Sequence, residues 1–106
     1  MELSTAKGTR DSAPEEAILL QEIQAVLKKN FEIFGFNPLQ TTILEQFETL
    51  SSKYTGGAEI LKETFQLTDQ GQRKLGLRYD LTVPFARFVA MNPHLKMPVQ
   101  RYQMGS

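Results

Sequence analysis

Between Leu19 and Phe34 the apolar residues Leu19, Ile23, Val26, Leu27, Phe31 and Phe34 recur largely at steps of three and four, and Gly35 follows the last of them. That spacing predicts an amphipathic helix of about 20 residues, with Gly35 closing it in a left-handed conformation. Ser12 and Glu15 have capping-box spacing, Pro14 suits a first helical turn, and Lys28 and Lys29 suit the negative end of the helix dipole. A helix of this length takes up a large share of a 106-residue chain. It obliges the remainder to supply the surface on which it packs.

The remainder reads as short alternating elements. Residues 1–11 are polar, lack periodicity, and are expected to form an extended arm. Residues 36–42 suggest a strand whose start Pro38 confines to an edge, 43–50 a weaker helix, and Thr55-Gly56-Gly57 a loop. Two extended runs, 63–68 and 74–80, flank Asp69-Gln70-Gly71-Gln72-Arg73, so a hairpin over 63–80 follows, with Gly71 as its turn residue. Alternation puts Phe65 and Leu67 on one face, and Leu75 and Leu77 on one face of the partner strand. Thr82 can cap a helix that has Pro84 in its first turn and carries Phe85, Phe88 and Val89 inward, until Asn92-Pro93 stops it. Residues 98–104 form a last strand candidate. The order α–β–α–β–β–α–β implies an α+β fold with an antiparallel sheet and flanking helices. The last strand has no return strand to cover its edge, so the expectation is the front of a larger domain, truncated mid-sheet.

Composition narrows the chemistry. The chain has no cysteine, which excludes disulfides, thiolate zinc sites and a cysteine nucleophile together. No apolar run approaches the roughly 18 residues of a membrane span, and the N-terminus has neither the basic region nor the apolar core of a secretory signal. A soluble, cytoplasmic chain with no membrane partner is the expectation. Twelve Lys and Arg balance 12 Asp and Glu, but unevenly. Residues 1–69 carry six cations against eleven acids, whereas 70–106 carry Arg73, Lys74, Arg78, Arg87, Lys96 and Arg101 against Asp80 alone. Such a basic half can face phosphate groups or simply form a solvated face.

Self-contained catalytic groupings are scarce. His94 stands alone, without a second ligand at metal spacing, and no GxxxxGK[ST] phosphate loop is present. Phe31, Phe34 and Phe36 fit a core better than a stacking platform. The local candidate is Leu77-Arg78-Tyr79-Asp80-Leu81-Thr82. If the strand ends near Asp80 and Thr82 opens a helix, a carboxylate and a hydroxyl meet at the junction and can accept hydrogen bonds from an ammonium ligand. The competing assignment makes Thr82 a helix cap and Asp80 the ion-pair partner of Arg78 or Arg87.

Longer stretches carry a resemblance. Lys7-Gly8-Thr9-Arg10-Asp11 with Pro14, the run from Phe34-Gly35-Phe36-Asn37-Pro38 through Leu44-Glu45, and Lys53-Tyr54 with the glycine pair resemble the histidyl-tRNA synthetase family. So do Glu59-Ile60-Leu61-Lys62-Glu63, Leu77-Arg78-Tyr79-Asp80-Leu81-Thr82-Val83-Pro84-Phe85-Ala86-Arg87, and Pro98-Val99-Gln100-Arg101-Tyr102-Gln103-Met104-Gly105. The resemblance implies part of a class II aminoacyl-tRNA synthetase. Such an enzyme is a homodimer built on an antiparallel catalytic sheet, and it joins histidine to ATP, with magnesium, and then to tRNA. By the same resemblance residues 12–45 form the first class motif and the dimer interface, with Leu19, Ile23, Val26, Leu27, Pro38 and Thr42 as candidates. Thr42 stands where the family usually has proline. Asp80 and Thr82 match the positions that contact the amino group of bound histidine, and 98–106 begins the second class motif. The arginine that holds the α-phosphate of ATP is expected a few residues beyond Ser106, so these 106 residues are expected to hold no catalytic residue and no metal site, and to bind no ATP alone. Two other readings stand beside this one: the histidine-sensing regulatory subunit of ATP phosphoribosyltransferase, and a non-catalytic dimerisation module.

Overall fold

A computed structural model describes residues 1–52 and 59–106. Lys53-Tyr54 and the Thr55-Gly56-Gly57 loop lie outside the described residues. The chain forms two units, Met1–Asn37 and Pro38–Ser106.

The first unit is built on α1 (Pro14–Ile33). Ser12 does not cap it. Extended Ala13 precedes the helix with no side-chain cap bond, and proline at the first position supplies a preset φ where no amide donor is needed. Glu15 and Glu16 lie in the first turn, where the dipole favours acids, and Glu16 forms an ion pair with Arg10. At the other end Gly35 adopts φ 87° and donates its N–H to the Glu32 carbonyl at 3.1 Å, as the αL ending requires. The helix runs on to Ile33, so Lys28 and Lys29 fall short of its last turn. Phe31 and Phe36 meet edge to face at 6.2 Å between centroids, whereas Phe34 is exposed. No residue of α1 is buried.

The second unit holds the sheet. Its three strands are β2 (Leu44–Gln46), β4 (Lys74–Leu77) and β3 (Gln66–Thr68), ordered β2-β4-β3 and antiparallel throughout. Around them lie α2 (Phe47–Ser51), α3 (Glu59–Glu63) and α4 (Thr82–Met91). Pro38, the end of β1 (Asn37–Pro38) that belongs to this unit, lies in a second, two-stranded sheet with β5 (Arg101–Tyr102). The next residue, Leu39, donates its N–H to the Tyr102 carbonyl at 3.1 Å. Two expectations change here. The strand expected over 36–42 shrinks to two residues, and the helix expected over 43–50 begins only at Phe47, because Leu44, Glu45 and Gln46 pair with Leu77, Gly76 and Leu75. Cross-strand pairing overrides the weak local helical pattern.

The register decides which face is the core. Glu45, Gly76 and Gln66 stand opposite one another on one side of the sheet; Leu44, Leu75, Leu77 and Leu67 share the other. The leucines therefore align as the alternation indicates, yet Leu44, Leu67 and Leu77 are exposed. The buried side is the Gly76 side, where Leu50 of α2 is fully enclosed. A Cβ at position 76 would stand 2.8 Å from Leu50 Cδ1, so only glycine lets the helix settle on the sheet.

Candidate functional site at the strand-to-helix junction

The junction from β4 to α4 is the turn Arg78–Thr82, and it is held at three points. Arg78 donates its backbone N–H to the Ile43 carbonyl at 3.0 Å and its Nη1 to the Thr41 carbonyl at 3.2 Å. Its Nε reaches the Ser106 carbonyl at 2.6 Å. The Tyr79 hydroxyl donates to the Leu50 carbonyl at 3.0 Å. Asp80 Oδ1 accepts the backbone N–H groups of Thr82 at 3.1 Å and Val83 at 3.0 Å.

These bonds reverse one assignment from sequence and remove another. Leu81 occupies the N-cap position, and Asp80 just before it, not Thr82, supplies the oxygen that caps α4; Thr82 is already the first helical residue and is exposed. Asp80 also forms no ion pair with Arg78 or Arg87. Arg78 is spent on carbonyls, and Arg87 Nε lies 2.9 Å from Glu45 Oε2 and 3.0 Å from Oε1. Asp80 and Thr82 thus sit in one turn, joined by the hydrogen bond from the Thr82 N–H to the Asp80 carboxylate. A cleft of about 680 Å³ opens beside them between α2 and α4, lined by Glu48, Thr49 and Ser52 on one side and by Thr82, Val83 and Ala86 on the other. Thr82 lines it; Asp80 does not.

The structure adds a site residue that the sequence concealed. Glu45 is 4% exposed, accepts Thr42 Oγ1 at 2.9 Å, and is the partner of Arg87. Its signal was present as one acid inside Ile43-Leu44-Glu45-Gln46-Phe47, but a helical reading of that stretch left it without a facing cation. Thr42, matched by resemblance to an interface position, spends its hydroxyl inside this cluster.

The basic half is largely engaged. Arg73 pairs with Asp69 at 2.6 Å, Arg87 pairs with Glu45, and the Arg101 guanidinium lies 4.3 Å above the Phe85 ring. No free phosphate-facing cluster of arginines remains among the described residues. His94 is exposed beyond α4. Among the described residues no three His, Cys, Asp or Glu side chains converge as a metal site, and no helix is long and apolar enough to cross a membrane.

Solved structures share this fold. A histidyl-tRNA synthetase from a Nostoc species superposes with a TM-score of 0.82 at 28% identity, over 99% of this chain and 23% of that one. A Bacillus halodurans protein described as ATP phosphoribosyltransferase regulatory subunit/histidyl-tRNA synthetase gives the same TM-score at 25% identity, over 99% and 27%. The family model for histidyl-tRNA synthetase matches residues 8–106, and the chain belongs to that family. Histidine–tRNA ligase 1 of Bacillus cereus is 51% identical over 105 residues, which is 99% of this chain and 25% of that protein. Histidine–tRNA ligase of Aeropyrum pernix is 50% identical over 100 residues, 93% and 23%. The chain thus spans about a quarter of the length of the curated relatives it matches.

Proposed function

We propose that this chain is the part of a cytoplasmic histidine–tRNA ligase that grips the amino group of histidine. In the whole enzyme histidine is joined to ATP and then transferred to tRNA. The observation that carries the reading is the Asp80–Thr82 turn. With Oδ1 tied to the helix amides, the carboxylate cannot swing away, and Oδ2 accepts no hydrogen bond from the described residues. A fixed carboxylate two residues from the exposed Thr82 gives an incoming ammonium two acceptors, one of them charged. The role of these residues is to bind and orient; the bond-making step needs charge stabilisation at the α-phosphate, commonly the largest electrostatic contribution to such chemistry. Magnesium would accompany ATP in the whole enzyme.

Histidine-dependent exchange of pyrophosphate into ATP tests the reading. The full-length parent should exchange, and the purified 106-residue chain should not, because its described arginines are already held by Glu16, Asp69, Glu45, backbone carbonyls or Phe85. Turnover by the short chain near that of the parent would overturn the division of labour. The regulatory-subunit alternative draws support from the Bacillus halodurans likeness. It forecasts histidine binding without exchange in the full-length parent. The identities of about one half lie with proteins named as ligases, which favours the enzyme.

The same reading makes α1 the seam of a homodimer. Leu19, Ile23, Val26 and Leu27 are 43–62% exposed along one helix, and Pro38 is exposed as well. An apolar band of this kind is open to burial against a second copy across a two-fold axis.

A further inference from the structure

We propose that Glu45 and Arg87 form a positioning pair for the amino-group site: their buried ion pair fixes where α4 begins, and so where Asp80 and Thr82 present their oxygens. This rests on the function proposed above. The turn is gripped on both flanks by one short stretch of chain, residues 41–45. Upstream, Arg78 bonds the carbonyls of Thr41 and Ile43. Downstream, Arg87 crosses to Glu45, whose Oε1 also takes the Thr42 hydroxyl. Arg87 lies five residues past Thr82, about 7.5 Å along the helix axis at the usual rise. A ten-residue helix pinned there can neither slide nor rotate without carrying its first turn along.

Stability alone does not call for charges at this place. A buried ion pair roughly breaks even against well-packed apolar side chains, because taking both charges out of water offsets their attraction. What the pair adds is direction. Glu45 is nearly inaccessible, and both its oxygens meet Arg87 Nε at hydrogen-bond distance, so the bond tolerates little displacement, whereas an apolar replacement would hold α4 against the sheet without fixing its position along the axis.

The test uses the full-length parent and compares Glu45→Gln, Arg87→Lys and the apolar double variant Glu45→Leu/Arg87→Met with the unsubstituted enzyme. Three quantities are measured: KM for histidine, KM for ATP in pyrophosphate exchange, and Tm. A rise of about tenfold or more in the histidine KM is expected, since small misplacements of a binding group carry penalties of that order. The ATP KM should stay within about twofold, which marks the loss as specific to the amino-acid end. The double variant is the sharpest arm, because it should keep a Tm close to the parent's while still losing histidine affinity. An unchanged histidine KM in a variant that keeps its Tm overturns the proposal. So do parallel rises in both KM values, or a double variant that fails to fold, since either result makes the pair scaffolding. Absence of histidine-dependent exchange in the unsubstituted parent is a different failure: it overturns the proposed function itself, and the positioning role falls with it.

Discussion

Asp80 Oδ1 accepts the backbone N–H of Val83 at 3.0 Å, so the residue expected to meet the ligand also starts the helix that positions it. The two roles separate by substitution. Asparagine caps a helix about as well as aspartate, whereas alanine costs about 1 kcal/mol at a cap. Asp80→Asn should therefore keep the Tm near the parent's and weaken histidine binding roughly ten- to a hundredfold, the worth of a charge-assisted hydrogen bond of about 1.5–3 kcal/mol. Asp80→Ala should lose both. Measuring Tm and histidine affinity on the same full-length samples checks this, and unchanged affinity in Asp80→Asn would reduce Asp80 to a cap.

How far the sequence revealed this arrangement depended on how local each cause was. The long helix and its glycine ending follow from periodicity and turn chemistry within a few residues, and they appear as expected; the hairpin over 63–80 appears as well, but with its strands shortened to Gln66–Thr68 and Lys74–Leu77 and with Glu63 in α3. The junction itself was legible, with a strand before it and a helix opening at Thr82, but which residue caps α4 was not, because aspartate and threonine are both good caps and lie two positions apart. The hairpin turn shows the same limit, since Gln72 with φ 62°, not Gly71, takes the left-handed conformation. Glu45 was hidden for a different reason. Its partner lies 42 positions away, and only the pairing of β2 with β4 brings the two together. The buried side of the sheet was equally non-local, because alternation identifies a face but cannot say that α2 covers the glycine side.

Gly76→Ala should destabilise the second unit. The added methyl would stand 2.8 Å from Leu50 Cδ1, which is fully buried and has little room to shift, and 3.3 Å from the Phe65 carbonyl oxygen, which would have to give by a few tenths of an ångström. Overpacking of this kind typically costs 1–3 kcal/mol, that is, about 1–3 kcal/mol here. Paired denaturant titrations of the two proteins read it directly. An equal midpoint would mean that α2 does not bear on the sheet at this point.

Acid stability should depend on Asp69. The Arg73 backbone N–H, and after it the guanidinium, hold the Asp69 carboxyl below the usual carboxylate range; the Glu16 carboxyl is lowered likewise by its hydrogen bond to Arg10. A depressed pKa means that the folded chain binds fewer protons than the unfolded one. The contribution is therefore present above about pH 4 and is lost as pH falls from there through the lower folded values. Asp69→Asn should flatten the acid limb of a stability–pH curve below about pH 4 and leave the neutral region nearly parallel to the parent. A curve of unchanged shape would remove Asp69 from the acid response.

Self-association should follow from α1. Ile23 and Val26 are 50% and 62% exposed on a helix that buries no residue, so the band remains accessible to a second copy. In a two-fold pairing each substitution acts twice, because the same face is presented by both copies. Sedimentation velocity should show a discrete dimer at micromolar concentrations, and Ile23→Asp or Val26→Asp should convert it to monomer without lowering helix content, since neither side chain is buried in the monomer. The alternative route to assembly is the exposed sheet face of Leu44, Leu67 and Leu77, together with any unpaired strand edge, which would give polydisperse species instead. The α1 substitutions leave that face intact. Persistence of large, heterogeneous particles in Ile23→Asp would therefore assign association to the sheet and remove α1 as the dimer seam.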